Sequence, residues 1–112
     1  MDAIENAVIK SVWLEVNDYN CLTCEIEIEG EGWGALFGGF CLCNQSKLVE
    51  GKDYTGFYVR RLIDVILGGF GKFDSLVGQP CRVKTEDRKV VAIGHFYKDR
   101  WFEPRVELKE SE

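Results

Sequence analysis

A chain of 112 residues is long enough to form one domain with a core of its own, without a metal or disulfide. With 46% hydrophobic and 29% charged residues it is neither disordered nor fibrous. Its net charge of −5 argues against sequence-independent binding to long DNA or RNA, which needs a basic footprint, but leaves room for a small anion held by a local cluster.

No apolar run reaches the roughly 18 residues needed to span a membrane. The start, MDAIENAVIK, lacks the basic opening and apolar stretch of a signal peptide. Cys21, Cys24, Cys41, Cys43 and Cys81 are an odd set, so the expectation is reduced thiols and a cytoplasmic location.

Residues Ile4 to Val16 read as a first strand, with Val8, Val12, Leu14 and Val16 on one face, Trp13 on the other and Lys10 interrupting the alternation. Asn17, Asp18 and Asn20 supply a turn. In the second strand Leu22, Cys24, Ile26 and Ile28 alternate with Thr23, Glu25, Glu27 and Glu29, so the carboxylates form a wet face. These two strands predict a hairpin.

Gly30 to Phe40, GEGWGALFGGF, gathers glycines around Trp33, Phe37 and Phe40. Glycines let the backbone approach a ligand, and their N–H groups can form anion-binding nests. The segment therefore reads as an ordered binding or packing loop. The plainer alternative is a bend between two strands whose aromatics fill the core. Phe40 to Asn44 reads as a third short strand and Asn44 to Asp53 as a connection.

A helix is expected from an N-cap at Asp53 to about Leu67, stopped by Gly68 and Gly69. Tyr58, Val59, Leu62, Ile63, Val65 and Ile66 share its apolar face. Phe57, Arg60, Arg61 and Asp64 share the other, where Arg60 can pair with Asp64 and Arg61 can lie over Phe57. Phe70 to Pro80 is irregular, with a short turn near Asp74. Cys81 to Thr85 and Val90 to Tyr97 form a hairpin closed by Glu86, Asp87, Arg88 and Lys89. In the tail, Trp101 and Phe102 dock and the chain frays from about 106. The sum is a single α+β domain over 1–112, an antiparallel sheet of about five strands with one main helix packed on it.

Four cysteines, Cys21 and Cys24 with Cys41 and Cys43, could make a tetrahedral zinc site, but they sit in strands rather than on turns and read as small core residues. No metal and no cofactor is expected. His95 is the only histidine, lies inside a strand, and has no recognisable nucleophile to serve, so the chain reads as a binding protein rather than an enzyme. Arginine forks suit phosphates and flat rings suit nucleobases. On that chemistry the candidate ligand-binding residues are Trp33, Phe37, Arg60, Arg61, Arg100 and Trp101, with glycine-loop amides as further donors.

Four stretches together carry a resemblance. They are Ile4-Glu5-Asn6-Ala7; the loop with Gly34, Gly38, Gly39 and Phe40; Tyr58-Val59-Arg60-Arg61-Leu62-Ile63; and Ala92-Ile93-Gly94-His95 followed by Lys98-Asp99-Arg100-Trp101-Phe102. In this order they resemble the phage anti-Thoeris sponge family, over roughly Ile4 to Pro104. The resemblance implies a non-enzymatic protein that sequesters cyclic ADP-ribose signals made by host TIR-domain enzymes, some members also holding cyclic oligonucleotides. It further implies a homo-oligomer built from dimers, with pockets near subunit interfaces. Trp33 and Ala35-Leu36 depart from the family's smaller or polar residues, and the segment before the helix is short.

The alternative from another class is a phage inhibitor, anti-CRISPR-like, that blocks a host defence protein. Glu25, Glu27, Glu29, Glu31 and Asp64 would then mimic nucleic acid toward a basic partner.

Overall fold

The computed structural model describes residues 3–108. It is α+β, with a six-stranded antiparallel sheet and one main helix. The strands are β1 (Ala3–Val16), β2 (Leu22–Gly30), β3 (Trp33–Gly38), β4 (Pro80–Glu86), β5 (Lys89–His95) and β6 (Trp101–Phe102), in the sheet order β3-β2-β1-β4-β5-β6. Helices α1 (Gln45–Val49), α2 (Thr55–Leu67) and α3 (Pro104–Glu107) complete the chain, with a 3-10 turn at Phe73–Leu76.

β1 organises the sheet. Its first half pairs with β4, from Ala3↔Thr85 to Val8↔Pro80, and its second half pairs with β2, ending at Val16↔Leu22. Lys10 is where the alternation breaks, and the register shifts there between Ile9 and Ser11. A bulge places one extra residue in a strand and so inverts its parity. Ala7 and Ile9 are buried before it; after it Val12, Leu14 and Val16 stand opposite Ile26, Cys24 and Leu22. Val8 therefore leaves the face it was expected to share with them and is exposed.

The glycine-rich stretch is mainly a hairpin and an edge strand. Gly30 faces Trp33 across the turn Glu31–Gly32, where Gly32 takes φ +79°. β3 occupies Trp33–Gly38, not Phe40–Asn44; the latter segment meets the sheet in one isolated bridge, Cys43 opposite Leu22, where Leu42 N–H also donates to the Leu22 carbonyl. Of the two expectations, an ordered binding or packing loop and a bend between strands, the segment takes the second in its backbone, with Phe37 in the core but Phe40 exposed. Phe37 pairs with Ile26 and is buried. Gly39 N–H donates to the Cys24 carbonyl at 3.4 Å, so that amide is already used.

β3 also approaches β5, although the two are not neighbours in the sheet. The sheet thus curls, and α2 lies on its inner side against β2, β5 and β6. Tyr58, Leu62, Val65 and Ile66 are buried there with Ile9, Ile26, Ile28, Val83, Ile93 and Phe102. Full burial of each large aliphatic side chain stabilises by about 1.5–3 kcal/mol, which fixes α2 to the sheet. The helix starts after an Asx-type turn, Thr55 N–H donating to Asp53 Oδ1 at 2.9 Å. It ends at Gly68 in the left-handed region, where only glycine is free of strain.

The β4–β5 turn puts Asp87 and Arg88 both at positive φ, the geometry of a two-residue hairpin loop matched to sheet twist. Val106 and Glu107 belong to α3, while 109–112 lie outside the described residues.

The cysteines need correction. Cys21 and Cys41 are joined in a disulfide that ties the turn before β2 to the segment after β3. Cys24, Cys43 and Cys81 are free thiols. Burial pushes the Cys24 and Cys81 thiols up to about 12, so both behave as apolar filling. Among the described residues no three groups are placed to share a metal ion, and no helix is long and apolar enough to cross a membrane.

Candidate functional site: a cationic cluster around Trp101

Alternation in β4 sends Cys81 and Val83 into the core and Arg82 and Lys84 to the outer face of the sheet. Across the ladder Arg82 faces Gly94 and Lys84 faces Ala92, and Gly94 in turn faces Trp101 of β6. Small residues at 92 and 94 leave space for a large one. The Trp101 ring fills it, lying so near Gly94 that a Cβ there would meet the ring. Lys84 Nζ stands 4.3 Å and the Arg82 guanidinium carbon 5.0 Å from the ring centroid. Cations at such distances are attracted to the ring's negative face.

The loop between β5 and β6 brings the remaining charges. Arg82 Nε donates to the His95 carbonyl at 2.9 Å and Nη2 to the Lys98 carbonyl at 2.8 Å, which fixes the fork under the loop. His95 Nδ1 accepts the N–H groups of Tyr97 and Lys98 at 3.2 and 3.1 Å. Trp101 Nε1 donates to Asp99 Oδ1 at 3.2 Å. Lys98 and Arg100 are exposed. The result is a local excess of positive charge on an acidic chain. It registers at His95, whose pKa falls below its ordinary value, first through burial and then through Lys98, Arg100 and Arg82.

Beside this cluster is a hollow of about 390 Å³ lined by Arg61, Asp64, Val65, Gly68, Arg100 and Trp101. Arg61 of α2 meets the adjacent pair Arg100 and Trp101 at it. Arg61 is already engaged. Its Nε donates to Glu107 Oε1 at 2.7 Å, its Nη2 to the Trp101 carbonyl at 3.0 Å, and its Nη1 reaches Asp64 Oδ2 at 3.4 Å. It lies over Phe102, 5.6 Å from the centroid, rather than over Phe57, and it takes the Asp64 contact expected of Arg60. Arg61 therefore anchors β6 and α3 to α2. Asp64 and the carbonyl end of α2 give the hollow acceptors on its α2 side, suited to an amine edge, while Arg100 stands at its other side.

The other expected residues lie elsewhere. Phe37 is a core residue. Trp33 covers Gly30 and lines a separate hollow of about 320 Å³ with Glu5 and Arg88. Arg60 is exposed on α2 and has no hydrogen bond or ion pair among the described residues. Of the acidic face, Glu27 accepts the Ser11 hydroxyl at 2.9 Å and Glu29 pairs with Lys10 at 3.7 Å. Arg82 and Lys84 are the residues that the sequence reading missed. Their signal was present, two cations spaced by two in a strand with Cys81 and Val83 inward.

Compared with known proteins, the chain matches no family model, no curated protein and no solved structure.

Proposed function

We propose that this chain is a non-enzymatic binding protein that captures a compact phosphorylated nucleotide. The base stacks on Trp101 with its amine edge toward Asp64, and the phosphates lie on Arg82, Lys84, Lys98 and Arg100. The observation that carries this reading is the meeting of Trp101 with Lys84 and Arg82 on one sheet face, beside a hollow that carries acceptors. A flat ring among cations, at the rim of a hollow that also carries acceptors, matches the polarity of a nucleotide. The resemblance to the anti-Thoeris sponge family narrows the ligand to a cyclic nucleotide signal such as a cyclic ADP-ribose isomer. A sponge requires affinity and slow release, not a nucleophile, and His95 is held by two backbone N–H groups as an acceptor.

The test is to incubate the protein with cyclic ADP-ribose isomers, remove free ligand, heat the protein and analyse what is released. Intact nucleotide is expected, with affinity falling at least tenfold in Trp101→Ala, since stacking contributes about 1–3 kcal/mol per base. Release of a cleaved product, or no retention of any isomer, overturns the reading. Stoichiometric recovery of a host protein without a nucleotide would favour the inhibitor instead.

A further inference from the structure

The curl of the sheet leaves one end of its concave side open. The hollow of about 320 Å³ lies there, lined by β1, β3 and the β4–β5 hairpin and by no residue of α2. β3 and β5 are not neighbours in the sheet, so both can line one hollow only from the inner side of the curl. Trp33 and Val90 form its apolar wall and pack against the core. The mouths of closed sheets are favoured places for small-molecule sites, and this volume stands at the small end of their range of about 300–1,000 Å³.

Three polar groups at this hollow have no partner among the described residues. Glu5 stands opposite the fully buried Val83, so it shares the core-facing side of β1 with Ala7 and Ile9. Alternation asks for an apolar side chain there. Glu5 instead brings a carboxylate with no hydrogen bond or ion pair. Arg88, equally unpartnered, is the second residue of a two-residue hairpin turn and takes φ +67°, a place ordinarily given to glycine. Strain of this kind is retained mostly where a side chain has a function. The third group is an indole N–H. Trp13 donates to Glu15 and Trp101 to Asp99, whereas the Trp33 N–H donates to nothing.

Glu5 and Arg88 carry opposite charges and line one hollow, yet they are not paired with each other. A phosphate or a simple carboxylate there would be repelled by Glu5, and a simple amine by Arg88. A ligand with both signs satisfies both. We propose that this mouth is a second binding site, for a free α-amino acid with an apolar side chain. The carboxylate bonds the Arg88 guanidinium and the Trp33 indole N–H, the ammonium meets Glu5, and the side chain lies against Ala35, Val90 and the indole. None of these groups belongs to the cationic cluster, whose Arg82 and Lys84 project from the opposite face of the sheet.

The experiment is a titration of the full chain followed by its indole N–H resonances in NMR, with the Trp33 signal assigned from Trp33→Phe. L-Phenylalanine and L-leucine are compared with two halves of the former, 3-phenylpropionate without the amine and phenethylamine without the carboxylate. At least one amino acid should shift the Trp33 resonance to saturation. Each half should bind about tenfold or more weakly than L-phenylalanine, since a bond to a charged group is lost. Arg88→Gly suits the left-handed turn and keeps the fold, and it should bind L-phenylalanine no better than phenethylamine. Glu5→Gln should bind it no better than 3-phenylpropionate. No saturable shift of Trp33 with either amino acid at millimolar concentration, a half that binds as well as the whole, or unchanged affinity in either variant overturns the proposal. So does a shift confined to Trp101, which would put the amino acid on the cationic cluster.

Discussion

Gly94 and Trp101 are cross-strand neighbours whose separation leaves no room for a side chain at 94: a Cβ would stand 2.5 Å from the indole ring. Gly94→Ala would normally favour a strand, because glycine carries the larger entropy cost. Here the ring must lift, and overpacking of this sort destabilises by about 1–3 kcal/mol. The expected result is a lower denaturant midpoint at unchanged m-value. A displaced Trp101 also separates from Lys84 and Arg82, so nucleotide affinity falls with stability. An alanine variant as stable as wild type would show that the ring does not rest on Gly94.

The single histidine reports the charge of the cluster. Burial first, then Lys98, Arg100 and Arg82, hold the His95 pKa below the ordinary histidine value of about 6.5. Below that value the unfolded chain takes up the proton before the folded one does. The contribution to stability is therefore full above about pH 6.5 and is lost as the pH falls toward the depressed folded value. Titrating the imidazole C–H resonance by NMR should give a midpoint below that of an unfolded peptide. Adding a phosphorylated ligand should move the midpoint upward, because the anion offsets the three cations. An unchanged midpoint with ligand bound would place the ligand away from the cluster.

Much of this arrangement was legible because local pattern and fold agree. The alternation in β2 and the apolar face of α2 appear in the burial of Ile26, Ile28, Tyr58, Leu62 and Ile66. What was not legible turns on long-range pairing. Lys10 showed that the alternation in β1 fails, but only the register with β2 shows that it is a bulge and that Val8 changes face. The Gly30–Phe40 stretch has loop composition, yet tertiary pairing with β2 makes a strand of Trp33–Gly38. Arg61 was visible as a cation on α2, whereas Glu107, its closest partner, is 46 residues away in a short helix the sequence does not signal. Arg82 and Lys84 gain meaning only when β6 brings Trp101 to them.

The Cys21–Cys41 bond closes a loop with a sequence separation of 20. Loop-closure entropy for a ring of this size corresponds to about 3 kcal/mol. Reducing agent should lower the melting temperature of the wild type and leave Cys41→Ser unaffected, since only the former has a bond to lose. Thiol titration of the denatured, unreduced protein should find Cys24, Cys43 and Cys81 reactive and the other two silent. Five reactive thiols would mean that the bond is not formed in the protein as isolated.

Arg60 and the pair Arg82 and Lys84 make a matched comparison. Both sets were available to meet a phosphate, but Arg60 projects from α2 with no partner among the described residues, while Arg82 and Lys84 converge on Trp101. Removing an exposed charge lowers long-range attraction slightly and is screened by salt at physiological ionic strength. Removing a charge that bonds a phosphate costs about 1.5–3 kcal/mol, close to tenfold or more in affinity. Arg82 also holds the His95–Lys98 loop through two carbonyls, so Arg82→Lys should lose that fork and resemble Arg82→Met rather than wild type. Among the described residues Lys84 has the ring contact to lose, and Lys84→Met should weaken binding with little change in stability. Calorimetric titration of Arg60→Ala, Lys84→Met and Arg82→Lys with the same nucleotide separates these cases. Equal losses in all three would mean that overall charge, and not the cluster on the sheet, attracts the ligand.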